Sequence, residues 1–74
     1  MPFANLKVPA GTLTSEQKET LIGKVTDLYA ATFGEAVRDN TMVLVDEVVD
    51  GGWGLRGEVL TLAKIAAQSQ PQAR

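Results

Sequence analysis

A capping box at Thr14-Ser15-Glu16-Gln17 and a glycine at position 34 delimit one helix, and an apolar strand flanks that helix on each side. Nothing else in the chain restricts the fold as tightly. With Thr14 as N-cap and Gln17 at the third helical position, two amide groups left without partners at a helix start are satisfied reciprocally. The helix is therefore expected from about Ser15 to Phe33, with Gly34 as its stop. Leu21, Ile22, Val25, Leu28, Tyr29 and Phe33 recur at spacings of three and four, which defines one face for burial. Gly23 costs that helix about 1 kcal/mol relative to alanine, and the usual reason for such a residue is close packing of a neighbour.

Ahead of the helix, Ala4, Leu6 and Val8 alternate with Phe3, Asn5 and Lys7, the period of a strand with two different faces. Pro9-Ala10-Gly11 ends it. After the helix, a polar connection from Glu35 to Asn40 leads into Thr41–Val49, which is apolar on both faces for most of its length, as in a strand covered on each side. Strand, helix and strand in this order give a parallel pair joined by a right-handed crossover. Asp50-Gly51-Gly52 reads as a turn. Trp53-Gly54-Leu55-Arg56-Gly57-Glu58 reads as a short extended or hairpin segment. Val59 to Ala67 reads as weakly helical, closing a single domain over residues 1–67 ahead of a flexible tail at 68–74. The fold class is α+β: a β-α-β unit with a parallel strand pair and a short C-terminal hairpin.

One helix cannot cover both faces of that sheet. The chain has 74 residues, 45% of them hydrophobic, with no cysteine and no histidine. Disulfides and a zinc staple are thus excluded as supports for a small core, and a chain this short has little core of its own. Association with further copies is the expected way to complete it. The net charge of −2 offers no basic stripe for a nucleic-acid backbone. No signal peptide or long apolar run is present, so a cytoplasmic protein that leaves the membrane alone is expected. No metal set, phosphate loop or nucleophile triad is present, and no cofactor is implied.

Without histidine or cysteine, one group remains that can serve as a general base near neutral pH. Pro2 follows Met1 directly, and a small second residue normally permits removal of the initiator. A free α-amino group titrates at roughly 7.7–8 in a model peptide, and desolvation or nearby cations lower that value further. With Met1 attached, the same nitrogen is an amide and has no basicity. Asp46 and Glu47 are adjacent in a strand with opposed side chains, so they are not expected to act as a carboxylate pair; one is expected to cap the sheet edge or meet a cation.

Taken together, the Met1-Pro2 opening, Gly11, the helix start Ser15-Glu16-Gln17-Lys18-Glu19-Thr20-Leu21-Ile22, the Val43–Glu47 strand core and the Trp53–Glu58 run resemble the tautomerase superfamily, specifically its short-chain 4-oxalocrotonate tautomerase group. The resemblance covers roughly residues 2–62. It implies a β-α-β fold that dimerises and then trimerises into a hexamer, each amino-terminal proline lying in a pocket built by several subunits. It also implies an isomerase in which Pro2 moves a proton between oxygen and carbon, converting an enol or dienol of a 2-oxo acid to its keto form. The substrate is then a small carboxylate. Dehalogenation or hydration of a haloacrylate-like acid is the alternative activity, with Glu47 or Glu58 as water activator. A non-catalytic subunit of a hetero-hexamer is the alternative outside enzymes.

The sequence also departs from the pattern. Typical members carry an arginine after the glycine that closes the first strand and another at the start of the second. Here those places fall on Thr12 or Leu13 and on Met42. The pocket aromatic is Trp53, where phenylalanine is usual, and the pocket-wall positions fall on Pro9 and Asn40. Arg56, three residues from Trp53, is the first choice for a replacement cation, ahead of Lys7 and Arg38. Alternatively, the arginines come from a related partner chain, or the substrate is not the usual dicarboxylate.

Overall fold

Thr14 begins the central element as its side chain dictates. Its Oγ1 accepts from the Gln17 amide at 3.0 Å, and its own amide donates to Gln17 Oε1 at 2.9 Å. In the computed structural model, which describes residues 2–69, the helix α1 spans Ser15–Phe33 and ends at Gly34, whose amide donates to the Ala30 carbonyl. Around it stand β1 (Phe3–Pro9), a 3-10 helix (Glu35–Asn40), β2 (Met42–Val48), β3 (Trp53–Leu55), β4 (Glu58–Leu60) and α2 (Leu62–Ser69). β1 and β2 pair in parallel, from Phe3 opposite Met42 to Pro9 opposite Val48, and β3 and β4 form a separate antiparallel hairpin. Strand order, helix bounds and hairpin are those expected from the sequence.

The register assigns the two faces of the sheet. Ala4, Leu6 and Val8 lie beside Val43, Val45 and Glu47, and α1 packs on β2 over this face. Lys18 of α1 reaches Glu47 at 2.7 Å across the contact. The opposite face is bare: Phe3, Met42 and Leu44 are 55%, 54% and 45% exposed. The second strand is thus covered on one side within the chain, and its remaining apolar residues face solvent.

The helix stripe divides in the same way. Leu21, Val25 and Tyr29 are half-buried and Ala30 is buried, whereas Leu28 and Phe33 are each 63% exposed. A two-stranded sheet is too narrow to cover the whole stripe, so the expectation of one buried face holds only in part. Gly23 corrects a second expectation. A Cβ there would meet nothing within 4 Å, so no close packing occurs at that point within the chain.

Val59 and Leu60 belong to β4 and not to a helix, because Leu60 pairs with Trp53 and Val59 with Gly54. The final helix starts later, at Leu62, and continues through Gln68 and Ser69, two residues assigned from the sequence to the tail. Thr61 caps it: its Oγ1 accepts from the Lys64 amide at 3.2 Å, and Asp50 Oδ1 accepts from the Leu62 amide at 2.8 Å. The expected tail is otherwise outside the described residues. At the Asp50–Gly52 turn, a Cβ on Gly52 would lie 2.8 Å from Val48 Cγ1, which excludes a side chain there.

Among the described residues only Ala4 and Ala30 are buried hydrophobics, and no large side chain is fully enclosed. The accessible surface of 5657 Å² exceeds the roughly 4,400 Å² of a compact chain of this mass. The radius of gyration is 15.8 Å, against about 11 Å for a compact domain of this length. The extents of 48 × 28 × 23 Å describe an elongated protomer whose hairpin makes only sparse contact with the strand–helix–strand unit.

Candidate active site

Pro2 stands at the amino-terminal end of β1, half-buried, where its carbonyl accepts from the Met42 amide at 3.0 Å. That bond extends the β1–β2 ladder and fixes the residue against the start of β2. Asn40, at the end of the 3-10 helix, is two residues away along the chain from Met42 and marks the same end of the sheet. It is exposed.

The other nominated residues belong to the opposite end. Pro9 pairs with Val48, the Ala10 amide donates to the Val48 carbonyl at 2.7 Å, and Thr12 Oγ1 donates to the Pro9 carbonyl at 2.7 Å. The hairpin bearing Trp53 and Arg56 leaves β2 from this end. Met42 and Val48 are the two ends of β2, roughly 20 Å apart at the rise of an extended chain. The structure therefore ties Pro2 to Met42, with Asn40 at the same end of the sheet, and ties Thr12 to Pro9 at the other end, from which the hairpin leaves. It does not unite the two groups within one chain.

Three cations were available to replace the absent arginines, and they differ in what they already hold. Lys7 faces Asp46 across the parallel pair and bonds it at 2.6 Å. Arg38 donates to Asp27 Oδ1 and to Glu35 Oε1, each at 2.6 Å. The hydrogen bond from Arg38, and then its charge, hold the Glu35 carboxyl below its usual range, and the same contacts hold the guanidinium firmly protonated. Arg56 is exposed and has no ion pair among the described residues. Its backbone is left-handed, with φ 55°, followed by Gly57 at φ 79°. Two successive positive φ values connecting paired strands make the tight hairpin turn that favours Asn-Gly.

A small cavity of about 110 Å³ lies at the hairpin, lined by Leu55, Arg56, Glu58, Val59, Leu60 and Lys64. Lys64 escaped the sequence reading; the signal for it is the Thr61 cap, which places it in the first turn of α2. Its ammonium donates to the Val59 carbonyl at 2.8 Å. Trp53 is half-buried, and its Nε1 is enclosed with no hydrogen-bond partner among the described residues. A buried donor in that condition carries an uncompensated desolvation cost. Asp46 and Glu47 each meet a lysine on opposite faces of β2, as their alternation requires. A wider groove of about 440 Å³ runs along the start of α1, lined by Leu13, Glu16, Gln17, Thr20, Leu21 and Lys24. Among the described residues no cluster of three metal-ligating side chains occurs, and no helix is long and apolar enough to cross a membrane.

The chain resembles known proteins over most of its length. The sequence model of the family described as "Tautomerase enzyme" matches residues 2–63. "Probable tautomerase K2" of Dickeya dadantii (strain 3937) is 41% identical over 61 residues, spanning 82% of this chain and 90% of that protein. Among solved structures, a 4-oxalocrotonate tautomerase isozyme of Methylibium petroleiphilum superposes with TM-score 0.69 at 33% identity, covering 78% of this chain and 90% of that one. DmpI of Helicobacter pylori does so with TM-score 0.67 at 37% identity, covering 78% and 94%. A parallel β-α-β unit closed by a short hairpin is thus shared along with the sequence, and the chain belongs to the tautomerase family, in its 4-oxalocrotonate tautomerase-like group.

Proposed function

We propose that Pro2, freed by removal of Met1, is the general base and then the general acid of an enol–keto isomerisation of a small 2-oxo acid. The neutral proline nitrogen takes the proton of the 2-hydroxyl. The oxygen electron pair becomes the carbonyl, the conjugated double bond shifts, and the prolinium returns its proton to carbon. Protons and electrons balance within the substrate and Pro2. A cation at the substrate carboxylate and donors near the developing oxyanion lower the barrier by drawing charge away from the reacting centre. Arg56 supplies the cation in this reading, with Trp53, Asn40 and Pro9 as walls.

The observation that carries the proposal is the position of Pro2, tied to β2 through its carbonyl while its nitrogen stands at the end of the sheet. The separation of the half-sites supports assembly from several copies. Pro2 and Asn40 mark one end of a parallel pair, and Pro9 and the hairpin root mark the other. A two-fold axis that sets two such sheets antiparallel brings the Pro2 end of one copy to the hairpin end of another. The bare Phe3–Met42–Leu44 face and the open strand edges are surfaces for such contacts. A homo-hexamer satisfies this arrangement, and a hetero-hexamer with a related chain would satisfy it equally.

The test is a pH–rate profile on an enolpyruvate substrate with protein whose amino terminus has been established by mass. Wild type is expected to be active, with an ascending limb near neutrality. Pro2→Ala is expected to lose about 100-fold or more in kcat. Equal rates for the two proteins would refute Pro2 as the proton carrier.

A further inference from the structure

Resting on that reading, we infer that α2 supplies the site with a second cation: Lys64 joins Arg56 in the hairpin cavity and binds the anionic end of the substrate. Lys64 lies one residue beyond the stretch 2–63 that the family's sequence model matches, so this role is a feature of the present chain.

The cavity of about 110 Å³ carries Arg56, Lys64 and one carboxylate, Glu58, in its wall. Neither cation forms an ion pair among the described residues. Two positive charges against one negative leave the cavity with an excess of positive charge. Lys64 donates to the Val59 carbonyl at 2.8 Å, which holds its ammonium against β4. That bond uses one of three N–H donors, and the other two remain for a ligand. Lys24 also lacks an ion pair among the described residues, but it lines the groove on α1, which shares no residue with the hairpin cavity.

The start of α2 explains how the lysine comes to stand there and why the helix itself does not call for it. Thr61 is the N-cap and accepts from the Lys64 amide, so Lys64 occupies the third helical position. In α1 that position is Gln17, whose side chain accepts from the Thr14 amide and closes the capping box. A lysine has no acceptor and cannot close one. Its charge also faces the positive end of the helix dipole. Local helix energetics thus disfavour Lys64, and its side chain turns back onto the hairpin. There the forked guanidinium of Arg56 and the compact ammonium of Lys64 complement each other on a carboxylate. Leu55, Val59 and Leu60 offer an apolar wall for the carbon chain of a small 2-oxo acid.

The experiment titrates the assembled protein calorimetrically with 2-oxohexanoate and with its methyl ester, which keeps the chain and removes the charge. Lys64→Gln is the chosen variant because glutamine suits the third helical position, so α2 is retained. It is expected to weaken binding of the acid about 5-fold, to leave binding of the ester unchanged, and to leave Tm equal or higher. Lys64→Arg is expected to restore most of the affinity for the acid. An unchanged affinity for the acid in Lys64→Gln, an equal loss for acid and ester, or no binding of the acid by wild type would overturn the inference. Binding is read at equilibrium without turnover, so these outcomes are separate from the loss of kcat in Pro2→Ala, which judges the catalytic reading alone.

Discussion

The two halves of this protomer are held together in opposite ways. The strand–helix–strand half is closed by its own chain: a ladder from Phe3–Met42 to Pro9–Val48, a helix capped at both ends, and ion pairs that tie β1 to β2 and α1 to β2. The hairpin half pairs with itself, is anchored through the Asp50–Leu62 and Thr61–Lys64 bonds, and contacts the first half only sparsely. Yet Trp53 and Arg56 stand in the second half, while Pro2 stands in the first. The difference teaches that the strand–helix–strand ladder forms within one chain, whereas its bare face and the proposed chemistry call on contact between chains.

The comparison is broken most severely by attacking the bare face of the sheet. Leu44→Asp places a carboxylate among Phe3, Met42 and the other exposed apolar residues of that face. Burying a leucine there is worth about 1.5–3 kcal/mol per copy, and an unpaired buried charge adds a larger penalty. The variant is expected to sediment as a single chain and to lose turnover together with assembly. An unchanged oligomer mass would place the subunit contact elsewhere.

A smaller effect sharpens the same contrast on the outer side of the first half. Gly23 faces open space on α1 within the chain. Gly23→Ala is therefore expected to stabilise the protein by about 0.5–1 kcal/mol, read as a raised Tm at unchanged oligomer mass. Destabilisation instead would mean that another copy packs closely on that stretch of helix.

Local signals were legible in the sequence, and signals that depend on partners were not. The helix could be bounded at Thr14 and Gly34 because both caps are set by neighbouring residues. Val59 and Leu60 were read as helix because a short apolar run has no period of its own; their strand identity is conferred by Trp53 and Gly54 across the turn. The stripe on α1 was visible, but periodicity reports which residues are apolar and not what covers them, so the exposure of Leu28 and Phe33 had no sequence signature. The site divides similarly. Pro2 and Arg56 are nominated from position and spacing alone. That Lys7 and Arg38 are already engaged follows from register and helix packing, which join residues distant in sequence such as Lys7 with Asp46 and Arg38 with Asp27.

The claim on which the rest depends is that Pro2 of one copy works with Arg56 of another. Subunit complementation tests it most directly: Pro2→Ala and Arg56→Asn proteins are unfolded, mixed in equal amounts, refolded together and assayed on an enolpyruvate with one carboxylate. Each variant alone is expected to be impaired. If the two groups come from different chains, random mixing creates some sites that contain both native residues, and activity should recover to about a quarter of wild type. Co-assembled mixtures no more active than the average of the two parents would place both groups on one chain and contradict the account.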